Sequence, residues 1–153
     1  MKIALKNRDS FYICGYMIET SLDTCGKDLE KLWREYETKK EDLFKHYGRK
    51  DDFYGLMWYT QLHRYCYLIG IEVEDITKAP EGAICKHIPS SLYAIATVPA
   101  KTPATDAWTE YFEAALPALG YSPDASHGLY FEYYSNGESK DYELWTPATI
   151  ICE

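Results

Sequence analysis

The chain has 153 residues, 46% of them hydrophobic and 26% charged, which is enough for one hydrophobic core and excludes a disordered segment. Its net charge of -8 argues against a nucleic-acid-binding surface, because displacing the counterions of a phosphate backbone requires clustered Lys and Arg. No apolar run is long enough to cross a bilayer, and the start MKIALKNRDS lacks the apolar stretch of a signal peptide. The expectation is a cytoplasmic protein with no membrane and no direct nucleic-acid partner.

Residues 11–19 alternate in aromatic and branched types and predict a strand, interrupted by Gly15, which reads as a bulge or a close backbone approach. From Asp28 the spacing changes. Leu29, Leu32, Trp33 and Tyr36 recur three and four apart, with charge on the other side, and predict an amphipathic helix that Thr24 or Asp23 can cap. The mixed charges of 39–52 read as a solvated helix end and loop. Residues 54–60 and 65–74 predict a hairpin joined by the short polar segment 61–64.

The same order then recurs. Residues 92–98 read as a strand, and Thr102 with Pro103 opens a helix whose apolar face is Trp108, Tyr111, Phe112 and Ala115, ended by Pro117 and Gly120. Residues 129–134 and 142–151 predict strands around Asn136-Gly137, a dipeptide suited to a tight hairpin turn. The segment 77–91 is the linker, with 83–88 available as an added strand. The expected fold is therefore α+β, with duplicated β-α-β-β units over about 1–76 and 83–153 in a single domain. They form an antiparallel sheet with two helices on one face and a cleft between them.

Cys14, Cys25, Cys66, Cys85 and Cys152 are odd in number and form no C-x-x-C pair, and they read as small reduced side chains, mostly buried. His46, His63, His87 and His127 show no ligand spacing, so no metal and no cofactor is expected. Nucleophile elbows, phosphate-cradling glycine loops and H-E-x-x-H motifs are missing. What stands out is fifteen tyrosines with four tryptophans, residues that suit pockets for flat ligands as well as cores and interfaces.

Four runs, LYAIATVP at 92–99, WTEYFEAALPALG at 108–120, LYFEYYSNG at 129–137 and YELWTP at 142–147, resemble the GyrI-like or AraC-type effector-binding domain. Residues 11–20 resemble it more weakly. That domain is also found at the end of multidrug-sensing transcription regulators. The resemblance implies a duplicated β-α-β-β fold with a pocket for amphipathic, often cationic, drug-like molecules. It also implies a pocket-facing glutamate in an aromatic-Glu-x-aromatic strand, here Glu132. Regulators of the family carry a DNA-binding helix-turn-helix ahead of this domain, whereas this chain starts almost directly with its first strand and is not expected to be a complete regulator. A separate regulator or a gyrase-like protein stays open as a partner.

Glu132 is also the sharpest candidate on its residues: among Leu129, Tyr130, Phe131, Tyr133 and Tyr134 it either points to water on a two-faced strand or is a carboxylate that is costly to desolvate alone, and the resemblance implies the pocket. Alternation puts Tyr130, Glu132 and Tyr134 on one face. Trp33 and Tyr36 on the first helix and Trp108 and Tyr111 on the second either fill the core or ring the cleft, and Trp58 and Trp145 are candidates for its floor. Glu143 is either a surface acid or a second acid beside Glu132. The expected function is the binding of a small amphipathic, cationic molecule by a stand-alone effector-binding or drug-sequestering protein. The alternatives are a hydrolase of strained cyclopropane-bearing molecules, with Glu132 as the catalytic acid or base, and a gyrase-inhibitor-like interaction module.

Overall fold

The computed structural model describes residues 1–47, 52–74, 79–135 and 141–152. In chain order the first unit comprises strands β1 (Ile3–Arg8) and β2 (Phe11–Ser21), helix α1 (Cys25–Tyr47), and strands β3 (Phe53–Gln61) and β4 (Arg64–Val73). The second comprises β5 (Ile84–Ile88), β6 (Ser91–Val98), helix α2 (Ala104–Glu110), a π-helical stretch at Tyr111–Ala115, a closing turn α3 (Leu116–Ala118), and β7 (Tyr121–Pro123), β8 (Leu129–Tyr134) and β9 (Tyr142–Ile150). The Asn136-Gly137 turn and part of the 77–91 linker lie outside the described residues.

The strand order is β1-β6-β9-β8-β3-β4-β2-β5, all antiparallel, with β7 added against the far end of β9. Each β-α-β-β unit orders its strands alike, and the two meet through β3 and β8. Strand β1 belongs in sequence to the first unit but pairs with β6 of the second, while β5 pairs with β2 of the first. The register does not break between the two ladders: Arg8 pairs with Ser91 and, two residues past the corner, Phe11 pairs with Ile88. One bent two-stranded ribbon therefore clasps both units.

Because that ribbon supplies both ends of the sheet, the sheet must curl. Phe11 on β2 and Phe131 on β8 stand three strands apart, about 14 Å along a flat sheet, yet their rings are 5.9 Å apart. A second cluster of Ile13, Tyr54, Leu56, Leu68, Tyr93 and Trp145 fills this inner face, and among the described residues no helix contributes to it. Arg8 closes its rim, with its guanidinium 3.6 Å from the Phe11 ring centroid and 2.5 Å from Glu72 on β4.

Both helices lie on the other face, where Leu32, Tyr36 and Leu43 of α1 and Ala107, Trp108, Tyr111 and Leu116 of the second helical segment join one core with Tyr67, Ile69, Ala94, Ala96 and Leu144. Helix α1 starts behind Thr24, whose carbonyl accepts the Asp28 N–H, and runs to Tyr47, through charged residues that the sequence reading assigned to a helix end and loop. The second segment widens into a π turn in which Leu116 N–H reaches Tyr111 O. Pro117 has no N–H to offer Glu113, so the α-helical ladder fails there.

Gly15 is a close approach and not a bulge. Its register with β4 is unbroken, it faces Gly70, and a Cβ on it would lie 2.0 Å from the Ile69 carbonyl oxygen. Strands β1 and β7 were not foreseen. β1 is an edge strand with little burial, and β7 has three residues, so neither carries a hydrophobic alternation.

Candidate functional site

A cleft of about 550 Å³ opens between the helices, a size that holds a drug-like molecule. Its walls are Leu29 and Trp33 of α1 and Ala104, Trp108 and Phe112 of the second helical segment; its floor is Met57, Tyr59, Tyr65, Tyr67, Tyr130 and Tyr134. Glu132 lies at the bottom and is 3% exposed. Tyr67 and Tyr134 each donate a hydroxyl hydrogen bond of 2.8 Å to its Oε1, and Trp108 Nε1 donates one of 2.8 Å to Oε2.

Burial raises the Glu132 pKa, because the protein offers the charge less solvation than water does, and the three hydrogen bonds oppose that rise by favouring the carboxylate. Burial first, and then the Glu132 charge, push the Tyr67 hydroxyl well above its ordinary range, so it stays a donor. The rings around the carboxylate hold one another in place. Trp108 stacks on Phe112 at 5.2 Å and meets Tyr130 edge-on at 4.9 Å, while Trp33 meets Phe53 edge-on at 5.6 Å and Phe53 stacks on Tyr134 at 4.8 Å.

Of the residues singled out in the sequence, Glu132, Tyr130, Tyr134, Trp33 and Trp108 meet in this cleft. The other four do not. Tyr36 and Tyr111, each three residues beyond a cleft tryptophan, turn inward under their helices; Tyr111 donates to the Ala94 carbonyl at 2.7 Å. Trp58 lies between Met57 and Tyr59, which face the cleft, so its own ring falls on the opposite face, with Lys86 Nζ 4.4 Å from its centroid. Trp145 is also on the inner face, stacked on Phe131 at 5.4 Å. Leu144, not Glu143, is the register partner of Glu132, so Glu143 points away from the cleft and accepts the Trp145 Nε1–H at 3.0 Å.

Tyr65, Tyr67, Met57, Tyr59 and Phe112 were missed. The alternation of Tyr65 and Tyr67 was visible in the sequence, but which face of β4 looks toward the helices follows only from its pairing with β3 and β2.

The chain is a GyrI-like effector-binding domain, a class that binds small molecules, as its family model and its fold show. The chain belongs to the Cass2 family, described as integron-associated effector binding protein, whose profile matches residues 4–148. No curated protein sequence is significantly similar to it. Among solved structures, SAV2435 bound to tetraphenylphosphonium is similar with a TM-score of 0.78 and 14% identity, over 97% of this chain and 94% of that one. An integron cassette protein from the mobile metagenome of Vibrio cholerae gives 0.68 and 16%, over 96% and 95%. The C-terminal domain of EcmrR gives 0.64 and 12%, over 98% of each chain. At these identities the likeness is one of fold.

Proposed function

We propose that this chain is a single ligand-binding domain that takes a lipophilic organic cation into the α1–α2 cleft, with Glu132 as its counter-charge and Trp33, Trp108, Tyr130 and Tyr134 as its walls. The observation that carries this reading is the buried carboxylate, whose two oxygens are engaged by three donors at the bottom of an aromatic cleft. Fixed donors keep the charge in place without neutralising it, and ring faces add attraction for a cation. A delocalised cation suits the site because it needs no hydrogen bond from an acid whose Oε1 already accepts two and whose Oε2 accepts one. Tetraphenylphosphonium bound to the similar fold of SAV2435 is a ligand of that chemistry.

A proton-transfer role for Glu132 has less support, since an acid held by Tyr67, Tyr134 and Trp108 is not free to swing toward a substrate. The net charge of -8 supports a cationic partner over nucleic acid. Among the described residues no helix is long and apolar enough to cross a membrane. Calorimetric titration with tetraphenylphosphonium and with its near-isosteric anion tetraphenylborate tests the reading. Saturable one-to-one binding of the phosphonium alone is expected; equal binding of both, or preference for the borate, overturns it.

A further inference from the structure

Outside the cleft, two of the five cysteines are brought together from distant parts of the chain. Cys14 on β2 and Cys85 on β5 are register partners in the antiparallel ladder of the clasping ribbon. Register partners in such a ladder have Cα atoms about 4.5–5.5 Å apart with side chains on one face, which lies inside the span a disulfide bridges, roughly 4.4–6.8 Å. Both thiols do share a face, because one hydroxyl reaches both. Tyr47, the last residue of α1, donates to Cys14 Sγ at 3.3 Å and lies 3.7 Å from Cys85 Sγ. Cys14 is fully buried in the helix-side core, and Cys85 is partly open to solvent. Cys25, Cys66 and Cys152 have no cysteine as register partner in any described ladder.

We propose that Cys14 and Cys85 are a thiol oxidation site that closes to an intramolecular disulfide when the protein meets a small disulfide. With oxidised glutathione the accessible Cys85 thiolate attacks one sulfur of the reagent, forms a mixed disulfide and releases one glutathione thiolate. Cys14 then displaces the second glutathione from Cys85 sulfur, and the departing glutathione thiolate takes up the Cys14 proton. Two protein thiols are oxidised, and one glutathione disulfide is reduced to two thiols. The order follows from exposure and from the Cys14 pKa, pushed up to about 12 mainly by burial, which keeps Cys14 from attacking first but not from resolving a mixed disulfide held against it. The product staples β5 to β2, and so ties the second unit's leading strand covalently to the first unit.

The test uses the full chain with oxidised glutathione, alkylation of the remaining thiols and digestion without reduction. Expected are a Cys14–Cys85 linked peptide as the main cross-link, an intact mass lower by two hydrogens, and a melting temperature raised by about 5–10 °C that dithiothreitol reverses. Cys85→Ser, at a partly open position that preserves the core, should lose all three. A Cys14 that stays reduced while Cys152 is already glutathionylated, a Cys85 that stops at the mixed disulfide, or a cross-link through any other cysteine pair overturns the proposal.

Discussion

Gly55 and Glu132 face each other as register partners in the central β3·β8 ladder, and they occupy the same place in the two units. The row Gly55, Ile69, Tyr16 in one corresponds to the row Glu132, Leu144, Ala96 in the other. The pseudo-two-fold of the fold thus passes through a pair in which one member is a buried acid and the other has no side chain. A Cβ on Gly55 would lie 2.2 Å from Tyr67 Oη and 3.0 Å from Glu132 Oε1. The missing side chain is the space through which a tyrosine of the first unit reaches the acid of the second.

Gly55→Ala should accordingly destabilise the protein by about 1–3 kcal/mol through overpacking and weaken phosphonium binding, because Tyr67 must leave the carboxylate. Removing the displaced hydroxyl should relieve the crowding. In a chemical-denaturation cycle the Gly55→Ala, Tyr67→Phe double variant should cost less than the sum of its singles; strict additivity would mean that the methyl does not meet Tyr67.

Glu132→Gln should lower affinity for tetraphenylphosphonium by about tenfold or more, near 1.4 kcal/mol, while leaving neutral triphenylphosphine oxide almost unaffected. The amide can direct its carbonyl to Trp108 and its NH2 to Tyr67 and Tyr134, whose hydroxyls rotate to accept, so the fold should persist. Equal losses for the two ligands would indicate a packing defect.

The pH dependence has a defined sign. Folding raises the Glu132 pKa above its ordinary 4.5, so above that pH the unfolded chain gives up a proton that the folded chain still holds. This acid therefore makes folding less favourable as pH rises from 4.5 to the folded value, and the deficit persists above it. Melting curves of the unliganded protein and of Glu132→Gln should converge at low pH, with the variant equal or better at pH 8. Phosphonium affinity should fall as pH drops through the folded value, because the protonated acid carries no counter-charge.

Tyr36 and Tyr111 hold corresponding places on the two helices and should respond oppositely to loss of the hydroxyl. The Tyr111 hydroxyl donates to the Ala94 carbonyl, whereas the buried Tyr36 hydroxyl has no hydrogen-bond partner among the described residues. Tyr111→Phe should cost about 1 kcal/mol or more, and Tyr36→Phe should be neutral or stabilising. Urea unfolding of both variants decides this, and a clear loss in Tyr36→Phe would place a water or other partner on that hydroxyl.

The four tryptophans divide by face, and fluorescence can read the division. Trp33 and Trp108 line the cleft, while Trp58 and Trp145 lie on the other side of the sheet. Tetraphenylphosphonium should alter emission in the wild type and in a Trp58→Phe, Trp145→Phe variant, but not in a Trp33→Phe, Trp108→Phe variant. A response confined to the last would move the ligand to the inner face of the sheet.

Much of this architecture was written in local pattern. The three-and-four spacing of Leu29, Leu32, Trp33 and Tyr36, and its echo at Trp108, Tyr111 and Phe112, marked both helices, and alternation marked Tyr130, Glu132 and Tyr134 as one face of a strand. These signals are legible because a helix and a strand each impose a fixed side-chain period on a contiguous stretch. Period does not say which face of a strand meets the helices. Trp58 and Trp145 were therefore placed on the wrong side, and Tyr65 and Tyr67 were overlooked, until the pairing with neighbouring strands set their phase. The exchange of β1 and β5 between units, the meeting of Cys14 with Cys85, and the pairing of Gly55 with Glu132 join residues far apart in the chain. The amino-acid sequence by itself determined both helices, the strands that alternate, the repeat and the acid; only the tertiary structure decided which rings surround that acid, because strand register and sheet curl are set by contacts that no local period records.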